Sequence, residues 1–170
     1  MAVAALVPLE EYLSTSYSPD CDYVEGRLVE RNVGERDHGY QQVLISRLLH
    51  ERGLLPFTEL RVQVNAKRYR VPDVLAERQM PRTRFLRHPP YILVEILSPD
   101  DRASEITEKI DDYLAFGVEN IWVVDPPRYR LTVHTIAGSR PSIGRVETAD
   151  GQISISLDEI FGQMPPPAEE

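Results

Sequence analysis

Apolar residues recur at helical spacing in three stretches of the chain, 6–15, 36–53 and 102–117. The first predicts a short helix and the other two predict longer amphipathic helices. Asp37 is the expected N-cap of the second helix. Gly117 has the position of a glycine that ends the third helix in a left-handed conformation.

Apolar runs and alternating patterns predict strands between and after these helices. The predicted strand segments are 22–31 (a hairpin turning at Glu25-Gly26), 57–64, 69–77, 91–97, 119–127, 130–136, 142–148 and 152–157. The apolar runs at 91–97 and 119–127 are typical of buried strands, and the helix between them would be a crossover. The order predicts an α/β domain: a mixed β-sheet with flanking helices and a C-terminal antiparallel meander.

Composition indicates one soluble domain. The chain has 170 residues, of which 42% are hydrophobic and 27% charged. We expect a single domain over 1–163 and a flexible tail over 164–170. No apolar run is long enough to cross a bilayer. The lone cysteine, Cys21, excludes an internal disulfide and favours a cytoplasmic location.

Charge and motifs exclude several functional classes. A net charge of −8 argues against a general nucleic-acid coat protein or a membrane-surface protein. The sequence has no nucleophile elbow, no phosphate-binding P-loop and no dinucleotide-binding glycine motif. One cysteine and four scattered histidines also argue against a structural zinc site.

Two acidic residues inside predicted strands are the main candidates for chemistry. Asp73 follows Pro72 in "VPDV", and Glu95 interrupts the apolar run "YILVEIL". A buried carboxylate needs a cation or hydrogen-bond donors. If the two strands are neighbours, the carboxylates meet, and a hard cation such as Mg²⁺ or Mn²⁺ would relieve their repulsion. Alternatively, Asp73 is a turn residue bonded to amides, and Glu95 pairs with an arginine.

Three segments together resemble the Uma-type putative restriction-endonuclease family, a branch of the PD-(D/E)XK nuclease superfamily. They are "VPDV", "YILVEILSPDDR" and "KIDDYLAFGVENIWVVDP", and "DYVEGRLVER" and "DHGYQQVL" extend the resemblance over residues 8–135. The resemblance implies a restriction-endonuclease-like fold and Mg²⁺-dependent (or Mn²⁺-dependent) cleavage of DNA phosphodiesters. By analogy with enzymes of this architecture, it also implies a homodimer.

The resemblance makes Asp73 and Glu95 metal ligands and catalytic residues. The superfamily pattern places a lysine two residues after the second acid, and this sequence has Leu97 there. Leucine can neither orient nor activate water. An amine from another part of the chain would therefore have to replace the missing lysine.

Lys109 is the candidate for that amine. It lies at the edge of the apolar face of the helix 102–117, four residues before Tyr113, in a lysine–tyrosine spacing that is usual in the family. It is one of only two lysines in an arginine-rich chain. The alternative is a surface lysine that pairs with Glu105 or Glu108.

Three residues are weaker candidates for contacts to the substrate or to the catalytic groups: Glu25, His38 and Tyr113. Each also has a structural explanation. Glu25 lies in a hairpin turn, His38 near a helix start, and Tyr113 on an apolar helix face.

Three functions are compatible with these residues. The first is a metal-dependent DNA endonuclease. The second is a catalytically degenerate nuclease fold that binds DNA or a protein partner, which Leu97 and the acidic net charge favour. The third is a phosphoesterase that acts on RNA or nucleotides, because a hydrolytic site of this kind has the same residues.

Overall fold

A computed structural model describes residues 5–32 and 34–164. The helices in this part of the chain are α1 (Leu9–Ser14), α2 (Arg36–Glu51), α3 (Ala103–Phe116) and α4 (Leu157–Phe161). The strands are β1 (Cys21–Val24), β2 (Arg27–Glu30), β3 (Leu55–Thr58), β4 (Val62–Asn65), β5 (Arg68–Arg70), β6 (Val74–Glu77), β7 (Ile92–Ile96), β8 (Ile121–Asp125), β9 (Arg130–Thr135), β10 (Gly138–Pro141), β11 (Arg145–Glu147) and β12 (Ser154–Ser156).

A six-stranded mixed sheet with the order β10-β9-β8-β7-β6-β3 forms the centre of the fold. Strand β7 pairs antiparallel with β6 and parallel with β8, and α3 is the crossover between β7 and β8. A four-stranded sheet with the order β2-β1-β5-β4 lies beside it, and β11 and β12 form a separate pair. The predicted mixed α/β fold is confirmed.

The two faces of the six-stranded sheet are covered by different helices. Alternate residues of β6 and β7 on one face pack against the apolar stripe of α2; they are Val74, Ala76, Ile92, Val94 and Ile96. Leu75 and Leu93 point to the other face and pack with Tyr113 of α3. Any side chain that continues the Leu75 and Leu93 alternation therefore lies under α3.

Two predicted strands are divided, which corrects the sequence-based interpretation. Segment 57–64 contributes to β3 and β4, and segment 69–77 contributes to β5 and β6. In both cases the two halves belong to different sheets. Pro72 lies in the passage from β5 to β6, where a residue without an amide hydrogen breaks no ladder bond.

Helix and strand ends show smaller differences. Glu35, and not Asp37, is the N-cap of α2, and Asp37 lies in the first turn. Gly117 has the expected left-handed conformation after α3. The C-terminal strands are antiparallel but are shared between two sheets, and α4, a helix that the sequence analysis did not predict, follows β12.

The ends of the chain bear on the domain and membrane predictions. Met164, the first residue of the predicted tail, is buried, and residues 165–170 lie outside the described part. No helix in the described ranges is long and apolar enough to cross a membrane.

The cysteine of the chain, Cys21, is buried in β1 as a free thiol.

Candidate active site

Asp73 and Glu95 meet at one end of the central strand pair. Val74 of β6 lies opposite Val94 of β7, and the two strands are antiparallel. The residue before Val74, Asp73, therefore lies beside the residue after Val94, Glu95. Both continue the alternation of Leu75 and Leu93 and therefore lie on the α3 face. The predicted neighbourhood of the two strands is confirmed.

Asp73 is held by donors from three elements. It is 3% exposed, and its Oδ2 accepts the backbone N–H of Ile96 at 2.7 Å. Its Oδ1 pairs with the Arg31 guanidinium and with His38 Nε2 at 3.2 Å. Gln42, one turn after His38 on α2, donates to the Asp73 carbonyl at 2.9 Å.

The charges around Asp73 decide its protonation. Burial raises the pKa of the Asp73 carboxyl, but the His38 hydrogen bond and the Arg31 charge outweigh burial and lower it overall. Burial lowers the pKa of His38, and the hydrogen bond and charge of Asp73 raise it above the usual value. Asp73 is therefore ionised, and His38 gains a proton more readily than a free histidine.

Glu95 is buried under α3, and two side chains of that helix contact its carboxylate. Tyr113 donates its hydroxyl to Glu95 Oε1 at 2.6 Å, and Lys109 Nζ lies 3.5 Å from Oε2. The two residues are four apart on α3, so one helix face presents both. Burial raises the pKa of Glu95 to about 7, with Lys109 opposing the rise and Asp73 adding to it.

Lys109 lies between two buried carboxylates. Its ammonium is 3.5 Å from Glu95 and 3.8 Å from Asp22, and its side chain is 14% exposed. Burial lowers the pKa of Lys109, but Glu95 and Asp22 raise it overall, which keeps the amine protonated. Within the described residues its ion pairs are with these two acids, so the ammonium points into the site and away from the helix surface.

Asp22 is a site residue that the sequence analysis missed. It lies in β1, is 1% exposed, and accepts the amide of Val71 at 2.8 Å and the Arg70 guanidinium at 3.1 Å. Arg70 also donates to Asp112 of α3 at 2.7 Å. Asp22 therefore ties the four-stranded sheet to α3 and to the segment that delivers Asp73. An acid inside a short apolar strand was the available sequence indication, as it was for Glu95.

These groups line a pocket of about 560 Å³ between the two sheets and α3. Glu25, in the β1–β2 turn, lies at its exposed rim and pairs with Arg68 at 3.1 Å. Eight carboxylates and five arginine or lysine side chains line the pocket. The excess of acids favours a cation inside it.

Comparisons with known proteins bear on the family and on the fold of this chain. The model of the Uma2 family, described as "Putative restriction endonuclease", matches residues 9–164. The chain belongs to the Uma2 family. No curated protein matches it significantly.

Among solved structures, this chain is similar to a putative nuclease belonging to DUF820 from Anabaena variabilis ATCC 29413. It aligns with 92% of this chain and 98% of its own length, at a TM-score of 0.77 and 22% sequence identity. At that identity the likeness shows a shared fold. A DrdV–DNA complex aligns with 71% of this chain and 10% of its own, at 16% identity and a TM-score of 0.44, which is too distant to support a conclusion.

Leu97 stands in this Uma2 protein where the superfamily pattern has a lysine. It directly follows β7, and its amide donates to the carbonyl of Val124 at 2.8 Å. The backbone pairing at the end of the site is therefore intact. The ammonium that reaches Glu95 comes from Lys109 on α3.

The raised pKa of Glu95 predicts a pH-dependent stability. The pKa of its carboxyl is about 4.5 in the unfolded chain and about 7 in the folded protein. The stability that Glu95 contributes is therefore fully present below pH 4.5 and is lost as the pH rises through 7. Relative to Glu95→Gln, which cannot titrate, the wild type should lose roughly 3 kcal/mol of unfolding free energy across that window. Urea denaturation at a series of pH values measures this difference.

Glu105→Gln is the matched control, because Glu105 lines the same pocket but its side chain is 49% exposed. Its stability curve should run parallel to that of the wild type. If the curves of the wild type and Glu95→Gln are parallel, Glu95 does not titrate in this range.

Proposed function

We propose that this Uma2 protein is a divalent-cation-dependent nuclease that hydrolyses DNA phosphodiester bonds. The observation that supports this most is the convergence of Asp73, Glu95 and Lys109 in one acidic pocket. Carboxylates can hold the cation, and a protonated amine can stabilise developing negative charge, in metal-assisted phosphodiester hydrolysis.

The donor set is suited to Mg²⁺ or Mn²⁺. Asp73 and Glu95 offer hard carboxylate oxygens from neighbouring strands. Among the described residues, no three His, Cys, Asp or Glu side chains form a complete metal-binding group. Mg²⁺ commonly binds through one or two carboxylates and takes its other ligands from water and substrate phosphate. Asp73 and Glu95 would hold the cation in that manner.

Each remaining residue has a distinct role in this proposal. A bound cation supplies Lewis acidity to a phosphoryl oxygen and lowers the pKa of a bound water. The ammonium of Lys109 donates to the attacking water and stabilises the negative charge that develops on the phosphate. Tyr113 fixes the Glu95 carboxylate, His38 fixes that of Asp73, and Asp22 holds Lys109 toward the site.

DNA as substrate follows from the family description and is supported by the rim of the pocket. Arg27 lines the opening, is exposed and has no ion pair with a described residue, so it presents positive charge to a phosphate backbone. Cutting both strands of a duplex needs two such sites. We therefore include a homodimer in the proposal, and light scattering of the purified protein would test it.

Cleavage assays test the proposal directly. Supercoiled plasmid, linear duplex, single-stranded DNA and single-stranded RNA would be incubated with the protein in Mg²⁺, Mn²⁺ or EDTA. We expect DNA cleavage with either cation and none in EDTA. Cleavage restricted to RNA would instead support the alternative phosphoesterase.

Two variants with the same charge change identify the site. Glu95→Gln should lower the cleavage rate by at least about a hundredfold, because it removes a charged ligand. Glu105→Gln, at the exposed side of the same pocket, should stay within about threefold of the wild type. Cleavage that persists in EDTA or in Glu95→Gln would contradict the proposal.

A second candidate is a binding module without catalysis. Leu97 at the usual lysine position favours it, as does the pairing of each carboxylate with a protein cation, Asp73 with Arg31 and Glu95 with Lys109. Such a module would bind DNA in a gel-shift assay, equally well in Mg²⁺ and in EDTA, and would cut none of the substrates above.

A further inference from the structure

We propose that Arg31 competes with the divalent cation for Asp73, so that its guanidinium must leave this carboxylate when the cation binds. This inference rests on the proposed function, because it assumes that Asp73 is a metal ligand. It adds a residue that neither the sequence pattern nor the family comparison identifies. It also gives a physical reason why a metal-free site with two facing carboxylates is stable.

The bonds of Asp73 leave little room for another cation. Its Oδ1 already takes part in two contacts, with Arg31 and His38, and its Oδ2 accepts the Ile96 amide. A carboxylate oxygen offers two lone-pair positions. A metal must therefore displace a donor from Oδ1, or share Oδ2 while a guanidinium is bonded to the same carboxylate. Both arrangements weaken its binding.

Charge balance explains why an arginine occupies this place. The side chains of Asp73 and Glu95 are 4% and 3% exposed and face each other, so their repulsion is poorly screened by water. Burial lowers the pKa of Arg31, but Asp73, and then Glu95, raise it overall, which keeps the guanidinium charged. Arg31 thus provides the positive charge that a bound metal would otherwise provide.

A second acceptor for Arg31 lies beside the site. Its Nη1 is 3.5 Å from Oε1 of Glu59, whose side chain is 47% exposed. A guanidinium that leaves Asp73 can therefore keep one carboxylate partner and remain near the pocket. Arg31 in contact with both Asp73 and Glu59 corresponds to a site that is closed to the cation, and Arg31 on Glu59 alone corresponds to an open site.

Calorimetric titration of Mn²⁺ into matched variants tests the competition. Arg31→Met should bind Mn²⁺ on the order of tenfold more tightly than the wild type, because it removes a competing charge in contact with a ligand. Arg82→Met is the control: Arg82 is exposed and forms no ion pair with a described residue. It should change the affinity by less than about threefold. Glu59→Gln should weaken Mn²⁺ binding, because it removes the second acceptor.

Two further measurements cover a variant that fails to fold. Arg31→Gln keeps a hydrogen-bond donor for Asp73 without the charge, and it should also bind Mn²⁺ more tightly than the wild type. In the wild type, the Nε–Hε resonance of Arg31 in a ¹H–¹⁵N spectrum should shift on titration with Mg²⁺. The resonance of Arg61, which donates to the carbonyls of Tyr12 and Thr15, should stay in place.

The outcomes separate this inference from the proposed function. If the wild type binds Mn²⁺ and both Arg31 variants bind it equally or more weakly, the competition is refuted while the metal site stands. An unmoved Arg31 resonance at saturating Mg²⁺ also refutes it. If neither the wild type nor any variant binds a cation, the metal site and the competition both fail.

Discussion

Replacing Asp73 by asparagine is expected to abolish divalent-cation binding and cleavage while the protein stays folded. The change removes one of two carboxylate charges, each worth about 4 kcal/mol against a unit charge 4 Å away at an effective dielectric constant of 20. Mn²⁺ affinity should therefore fall by a hundredfold or more. The asparagine carbonyl can still accept the Ile96 amide, which preserves the link between β6 and β7.

The control for this variant is Asp111→Asn, which removes the same charge from an exposed position on α3. It should bind Mn²⁺ and cleave DNA as the wild type does. Circular dichroism and thermal unfolding would show whether each variant is folded. Asp73→Asn should melt at a lower temperature, because Arg31 and His38 lose a charged partner. Undiminished cleavage in this variant would exclude Asp73 from the active site.

Lys109→Met is expected to separate catalysis from cation binding. Methionine is similar in length but has no ammonium, so charge that develops on the phosphate loses its donor. Removing one such donor typically lowers kcat by about a hundredfold to a thousandfold. Mn²⁺ affinity should be unchanged or higher, because a positive charge 3.5 Å from Glu95 is lost. Single-turnover cleavage and calorimetry measure the two effects separately.

Lys67→Met is the matched control, since Lys67 is the other lysine of the chain and is exposed between β4 and β5. It should leave the single-turnover rate within about threefold of the wild type. If Lys109→Met cleaves at the wild-type rate, the amine of Lys109 has no catalytic role. Lys109 then does not replace the lysine that is missing at position 97. Loss of cation binding in the same variant would instead indicate a structural role for Lys109.

The placement of Asp73 opposite Glu95 was accessible from the sequence. A seven-residue apolar run such as "YILVEIL" belongs in the middle of a sheet, and an acid inside it needs a partner. The segment "VPDV" placed a second acid in another predicted strand, and the family resemblance pairs the two acids. These inferences depend on local patterns. Such patterns are reliable for a strand that is buried on both faces, because an apolar run of this kind has few other stable places in a folded protein.

The division of two strands was not accessible in the same way. Alternation over 57–64 and 69–77 shows that the residues are extended, but not that the chain passes from one sheet to another inside each segment. Which edge a strand joins depends on contacts with distant residues. The bridge from Val62 to Leu86, outside the paired strands, is one such contact.

The partners of the carboxylates show the same limit. Arg31 reaches Asp73 from 42 positions earlier in the chain, and it follows β2 with no periodicity that marks it. Asp22 did have a local indication, an acid within a short apolar strand, but its partners Arg70, on β5, and Lys109, on α3, lie far from it along the chain. Local patterns along the chain therefore indicated Asp73, Glu95 and Lys109 as candidates, and the fold was needed to find Asp22 and Arg31 beside them.

Anomalous diffraction from crystals soaked in Mn²⁺ would locate the cation itself. We expect one strong peak in contact with the carboxylates of both Asp73 and Glu95, with the Arg31 guanidinium moved off Asp73 toward Glu59. A peak that touches neither carboxylate, or no peak at a Mn²⁺ concentration that supports cleavage in solution, would contradict a metal-dependent nuclease site at this position.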